Sequence, residues 1–459
     1  MDRGAASSCR REVVRVRGQL RTAGSSNANP TYEALLQENA RLSALVASRD
    51  ASATSTDSNM LHGPTYDMTE QHEKRLFRLI GETIRKRGVF NDTDVCMPSM
   101  ECSEALVHHA RIWTSWIHFA FFFPDFQQLH SQFWQHFSPA CSSSLSEHDP
   151  LWLAIYFSVL SSTLLFVDEE EFLRMNPPRR EQEALLRNWY DSALYFLDRG
   201  DFMQKQDITV VRTIVVLGIV ATNIGDTCRH SNLWACALRI AEQLKLGSDE
   251  CNTLETVLER EYHIAMSRVA IIFYQLRSKI RLRRWSAPEI AQFVFSADDQ
   301  LASLIGELPA HLQNDEPETP ATLERDAANP WIPWQKKSLT MVLLYHRIAI
   351  NRILQTHWLE GSTNYARARS ICLSSAVAIL NSATTDAAPT DISRMRPWAQ
   401  SMHVFSAAVT LVLEMHGSKT SVPEYITCIS EGKDFLEKVK SHNMIAKQGL
   451  EMLNEMLST

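Results

Sequence analysis

Cys9 sits in a basic run, with Arg10, Arg11, Arg15 and Arg17 close behind it. A thiolate among guanidinium groups offers two chemistries, zinc ligation and contact with nucleic-acid phosphates. Structural zinc asks for about four Cys or His ligands, and no second ligand stands at zinc spacing from Cys9. The expectation is therefore no metal and no cofactor, with Cys9 at most a vestigial ligand and the four arginines as candidate phosphate contacts. His108, His109, His118, His130 and His136 cluster further on, but no HExxH pattern or carboxylate–His pairing accompanies them. They read as core or surface histidines. Asp168 to Glu171 and the pair Asp298 and Asp299 could hold a diphosphate through magnesium, yet neither run has the DDxxD form. Both are expected to be solvated acidic turns. With no GxSxG, P-loop or Rossmann fingerprint, the chain is expected not to be an enzyme. An all-α enzyme without familiar motifs is the alternative.

The elements behind these residues read as helical. The chain has 459 residues, 45 % hydrophobic and 22 % charged, a globular balance, and only 15 Gly, which disfavours phosphate loops and tight hairpins. Nine cysteines without a CxxC pair, and a start without an apolar signal segment, point to a reducing compartment. The net charge is −7, but residues 1–21 carry six Arg against Asp2 and Glu12, a local +4 that leaves −11 for the rest. An acidic body is a poor nucleic-acid surface, so direct DNA contact would have to come from the basic head.

Residues 31–49 carry Tyr32, Asn39 and Val46 at a positions and Leu35 and Leu42 at d. This is a short coiled-coil signal in which Asn39 can set the register of a dimer. Residues 50–72, polar and rich in Ser and Thr, predict a disordered linker. From 73 to 459, helical patterns follow one another between short breakers. The uncharged stretch 151–167 predicts a buried core helix, being short for a membrane span. In 231–247, Trp234, Ala237, Leu238, Ala241 and Leu244 form the expected buried face, with Ser231 and Gly247 as caps. Leu258, Tyr262, Ala265, Val269, Ile272, Phe273, Leu276 and Ile280 predict a long helix packed along one stripe, with Asn252 and Glu255 as its capping box. The proline-rich stretch 314–333 reads as a surface excursion. Helices resume over 339–354, 366–380 and 398–415, and 435–457 closes the chain as an amphipathic stretch.

Several segments resemble one family. Ala6, Cys9 and Val16, followed by Gly18, trace the first half of a fungal binuclear zinc cluster in which only the second of three cysteines is kept. Ser231-Asn-Leu-Trp-Ala-Cys-Ala-Leu-Arg-Ile-Ala-Glu-Gln-Leu-Lys-Leu246 is similar to a segment of that family's regulatory, or middle homology, domain. Trp113-Thr-Ser-Trp-Ile-His-Phe-Ala-Phe-Phe-Phe-Pro124 resembles its opening helix, and Leu344-Tyr-His-Arg-Ile-Ala-Ile-Asn-Arg-Ile-Leu354 its Tyr-containing helix, with Cys372 and Ala376 in the next one. The likeness covers about residues 100–415. The family's Arg-Arg-x-Trp-Trp is replaced by Glu259-Arg-Glu-Tyr-His, so the paired Trp are missing.

The resemblance implies an all-α regulatory domain over 73–459, behind a basic arm at 1–30, the coiled coil at 31–49 and the linker at 50–72. It also implies a nuclear transcriptional regulator working through partners in the transcription machinery or through a DNA-binding partner. Tyr32, Leu35, Asn39, Leu42 and Val46 would form a homodimer or heterodimer, DNA would be reached directly or indirectly, and no membrane would be involved. One further alternative is an N-terminal exon assigned differently, which would restore the cysteines, the zinc and direct DNA binding.

Overall fold

The computed structural model describes residues 68–82, 90–137, 144–179, 181–246, 257–282, 285–383, 393–394, 396 and 398–458. Every regular element among them is a helix, as an all-α chain requires. The arm, the heptads and most of the linker lie outside the described residues. The linker's last residues do not, because the first helix, α1 (Met68–Glu82), already starts within them. It forms there because Leu76 and Ile80 are fully buried and Thr69 and Glu73 are buried with them.

The described body holds two hydrophobic cores. The first is built on α2 (Met100–Trp113), α3 (Ser115–His118), α4 (Phe123–His136), α5 (Pro150–Leu164), α6 (Glu169–Arg174), α7 (Gln182–Arg199), α8 (Ile208–Ile224) and α9 (Thr227–Gln243). Its axis is α5, apolar all round and therefore buried all round. Asp149 caps it by accepting from the Leu151 N–H at 3.1 Å, and Leu153, Tyr156, Phe157, Val159 and Leu160 are completely buried. Its hydroxyls are absorbed as well: Ser161 Oγ donates to the Leu186 carbonyl of α7 at 2.9 Å. This is the core helix expected over 151–167. No described helix is long and apolar enough to cross a membrane.

Between α8 and α9 the chain turns on Gly225, whose φ of 88° lies in the left-handed region. A Cβ there would also stand 3.2 Å from Ile80 Cγ2. Gly225→Ala is expected to lower stability by about 1–2 kcal/mol, measured by chemical denaturation, with Gly225→Asn losing less. The same turn corrects the expected cap of the next helix. The N-cap of α9 is Asp226 rather than Ser231, one turn earlier. The expected face is corrected too: Leu233, Ala237 and Ile240 are the buried stripe, whereas Trp234 and Leu238 are 42 % and 54 % exposed.

The second core joins α1 to α10 (Val257–Leu282) and α11 (Ala287–Gly306) and, beyond α12 (Pro320–Ala328), which buries no residue, to α13 (Ile332–Asn351), α14 (Gln355–Leu359), α15 (Ala366–Ala383), α16 (Trp398–Ser418), α17 (Pro423–Val439) and α18 (Met444–Ser458). The stripe expected along α10 holds, with Tyr262, Ala265, Val269 and Leu276 buried. Its expected caps, Asn252 and Glu255, lie outside the described residues. Two of the prolines read as breakers instead open helices: Pro320 starts α12 behind the Thr319 cap, and Pro333 lies in the first turn of α13. The C-terminal stretch is two helices, because Asn443 Oδ1 accepts from the Ile445 and Ala446 N–H groups at 2.9 and 3.1 Å and so starts α18 afresh.

The acidic runs are not both solvated turns. Asp298 is fully buried within α11. It accepts from Arg347 Nε at 3.1 Å and Asn351 Nδ2 at 3.0 Å, both on α13, and this cross-helix pairing is what permits a buried carboxylate. Asp168 is the buried N-cap of α6, accepting from the Glu171 N–H at 2.8 Å. Only Glu169, Glu170 and Asp299 match the solvated reading.

A candidate effector cavity between the two cores

Short helix α3 reaches from the first core into the second. It follows α2 after one residue, yet its Trp116 belongs to the second core, and Ile117 packs against both. The turn that ends it places Phe119 at φ 46°, strained for a bulky side chain. Stacking on His263 of α10 at 4.8 Å, with an interplanar angle of 17°, holds it there. His263 Nε2 donates to the Trp116 carbonyl at 2.7 Å. Burial holds its imidazole below the usual histidine range, against the opposing pull of that bond, so the ring is neutral at pH 7.

Beside this strap lies a cavity of about 200 Å³. The first core gives it Trp113, Phe166 and Ile219, and the second gives Trp116, Tyr262 and Val342. Tyr262 meets Trp116 edge-on at 5.4 Å, and its hydroxyl lies 3.2 Å from Ser338 Oγ. The Arg394 guanidinium stacks 3.6 Å above the Trp113 ring, a cation–π contact that holds one charge at the rim of an apolar space. Among the described residues, two polar atoms of the wall side chains lie behind the cavity surface. Trp116 Nε1 and Gln400 Oε1 are buried without a hydrogen-bond partner, a costly arrangement unless something else satisfies them.

A wider polar groove of about 560 Å³ runs between α7 and the α17–α18 pair. Glu183, Arg187, Glu437 and Lys447 line it with both signs of charge, so it favours no single ligand charge.

The residues singled out in the sequence for chemistry do not build the cavity. Cys9, Arg10, Arg11, Arg15 and Arg17 lie outside the described residues, as do Tyr32, Leu35, Asn39, Leu42 and Val46. The histidines of the cluster go elsewhere. His130 Nε2 lies 2.8 Å from Ser103 Oγ, which also meets the Tyr156 hydroxyl at 2.7 Å and accepts from Trp134 Nε1 at 3.2 Å. A Ser hydroxyl that accepts from Trp134 and Tyr156 and donates to His130 satisfies all four groups. His109 faces Glu171 at 3.6 Å, and His108 and His136 are exposed. No group of three His, Cys, Asp or Glu among the described residues is arranged to hold a metal ion. Spacing marks Tyr262 as part of the α10 stripe and places Trp113 and Trp116 one helical step apart, and in neither case does it distinguish a cavity wall. Gln400, the one amide near the start of the apolar run of α16, was the available signal for the polar end.

No protein-family model matches the chain, and no curated protein matches it. Among solved structures, the fold is similar to that of a chain in the structure of the K. lactis CBF3 core. The TM-score is 0.60 at 10 % identity, over 85 % of this chain and 89 % of that one. At that identity the likeness is one of fold.

Proposed function

We propose that the chain is a nuclear regulator of transcription, a non-enzymatic helical body that takes up a small-molecule signal and acts through protein partners. The observation that carries this reading is the cavity between the cores. Among the described residues, aromatic and aliphatic side chains from both halves line it with a single cation and no carboxylate, a lining suited to binding and to coupling two cores, not to acid–base chemistry. The fold likeness to a chain of the CBF3 core supports a helical scaffold, and the order of family-like segments along the sequence supports a regulatory one. DNA is reached through a partner, since Ala6 and Val16 stand where zinc ligands would be needed. Leu35, Asn39, Leu42 and Val46 assist pairing with that partner or with a second copy.

The test tethers the full chain to an unrelated DNA-binding module upstream of a reporter. Expected is a change in transcription of at least severalfold; an unchanged reporter rejects the regulatory reading. In parallel, the purified chain is expected to lack stoichiometric zinc and to bind duplex DNA weakly, with an affinity that falls about tenfold or more between 50 and 200 mM salt. Stoichiometric zinc with salt-robust, sequence-specific binding rejects indirect targeting.

A further inference from the structure

We infer that the outer face of α10 is the docking site for a helix of a partner protein, amphipathic and acidic along its flanks. The inference rests on the reading that the chain acts through protein partners, and adds where and by what chemistry one of them binds.

The inner stripe of α10, Tyr262, Ala265, Val269 and Leu276, is taken up by the second core. On the opposite side a second apolar row stays in solvent. Ile264, Ile271 and Leu282 are 49 %, 53 % and 79 % exposed, with Tyr274 beside them at 73 %. At 3.6 residues per turn, Ile264, Ile271 and Leu282 point within about 20° of one another, and the row runs for about 27 Å. Apolar residues scattered singly over a surface need no account, whereas an aligned row marks a contact site. Ile264, Ile271 and Tyr274 also follow the spacing of seven and then three residues by which one helix packs along another.

Charge names the chemistry of the partner. The whole chain carries −7, yet among the described residues every exposed charged side chain of α10 is a cation: Arg260, Arg268, Lys279 and Arg281. Glu261 is half-buried and turned toward His311 at 3.6 Å. Arg268 already has a carboxylate, Glu307 at 2.6 Å. Arg260 at one end of the row and Lys279 and Arg281 at the other have none within ion-pair distance among the described residues. The occupant must therefore bring an apolar stripe with carboxylates beside it, which is an acidic amphipathic helix. A second copy of this face would set cation against cation. A nucleic-acid strand would use the cations and leave the isoleucines uncovered, and a bilayer would meet a row interrupted by Ser267, Gln275 and Ser278.

The test is fluorescence anisotropy of the full chain with two labelled synthetic peptides of about three heptads, each held helical by a hydrocarbon cross-link. Both carry Leu at a and d; one has Glu at e and g and the other Lys. Expected is a Kd below ~100 μM for the Glu peptide at about 50 mM salt, at least about tenfold weaker binding of the Lys peptide, and a loss of about threefold or more for the Glu peptide at about 300 mM salt. Ile271→Glu is expected to weaken the Glu peptide about tenfold or more, and Arg260→Glu with Arg281→Glu to reverse the preference between the peptides. These positions are exposed, so melting temperatures are expected within about 2 °C of the parent; if Ile271→Glu falls further, Ile264→Ser is read in its place. Trp234→Ser, on the exposed side of α9, is expected to change neither affinity. Equal affinity for the two peptides, no binding of the Glu peptide at about 1 mM, or a preference that the double variant leaves unreversed overturns the inference. So does tighter binding of single-stranded DNA or of phosphatidylserine vesicles that Ile271→Glu abolishes, or a dimer in sedimentation that Ile271→Glu dissolves. The two readings fail separately. A chain that binds the Glu peptide at α10 but leaves the tethered reporter unchanged loses only its regulatory role. A chain that moves the reporter but binds no acidic helix loses only this docking site.

Discussion

Glu73→Ala is expected to destabilise the protein by about 3–5 kcal/mol, the cost of leaving a buried cation without its partner. Glu73 and Arg352 are both buried. The guanidinium grips the carboxylate with two bonds, Nη1 to Oε1 at 2.6 Å and Nη2 to Oε2 at 2.7 Å. Ser406 Oγ donates to Oε1 at 2.5 Å, and the Tyr345 hydroxyl reaches the same oxygen at 3.5 Å. Four elements therefore meet on one carboxylate: α1, the turn after α13, α13 itself and α16. Nearer the surface, Glu70 receives two bonds from Arg277 at 2.7 and 2.8 Å. Burial pushes the Glu70 carboxyl up, but the bonds from Arg277 and Lys74 outweigh it and hold the group at about 2. Together the two pairs pin α1 to the second core. Urea denaturation should show the full loss in Glu73→Ala and a smaller one in Glu73→Gln, which keeps one acceptor. The double variant Glu73→Leu with Arg352→Met should recover much of the loss, because replacing both partners removes the unpaired charge. A loss in Glu73→Ala below about 1 kcal/mol, the range of exposed pairs, would contradict the assignment.

What could be read in the sequence followed from patterns that need no partner. α5 was legible because a helix apolar on every side has no choice but burial. α10 was legible because its stripe runs from Leu258 to Ile280 at spacings of three and four, longer and denser than the competing row of Ile264, Ile271 and Tyr274, which stays exposed. α9 carries two overlapping apolar stripes, one through Trp234 and Leu238 and one through Leu233 and Ile240. Only the packing of α8 and α9 decides between them. The burial of Asp298 was equally hidden, since it depends on Arg347 and Asn351 arriving from another helix. The break at Asn443 did have a local signal, a Ser-His-Asn run able to cap a helix, but the apolar residues on either side masked it. The cavity was the least legible feature. Its walls come from six separate stretches of chain, and no spacing within any one of them distinguishes a cavity wall from a filled core.

Acid should unfold this protein well before its carboxylates titrate, because burial keeps histidines neutral in the folded state. His118 is held down to about 3 by burial, with a contribution from nearby His263. His130 is lowered to about 4 by burial, and His403 to about 3 by burial with His346 close by. Each is less than a tenth exposed, and protonation has a structural cost at each. His118 Nδ1 accepts from the Ala120 N–H at 3.1 Å, His130 Nε2 faces Ser103 Oγ, and His403 stacks on Tyr345 at 4.6 Å. In the unfolded chain these groups titrate near 6.5, so below that pH the unfolded state binds protons the folded state refuses. Their contribution is complete above about pH 6.5 and is lost as pH falls toward 4, by roughly 1.4 kcal/mol per histidine per pH unit. For three, the loss between pH 7 and pH 5.5 is about 4 kcal/mol. The carboxylates act in a lower window. Glu316, held at about 2 chiefly by its bond from Arg325, and Glu70 stabilise fully above about 4.5 and lose that effect only as pH falls toward 2. Urea midpoints at pH 7.5, 6.5 and 5.5 should therefore fall steeply over the last interval. His403→Gln should make the slope shallower by up to about 1.4 kcal/mol per pH unit, because one of the refused protons is gone. A midpoint that is level from pH 7.5 to 5.5 would mean that these imidazoles accept protons without unfolding the cores around them.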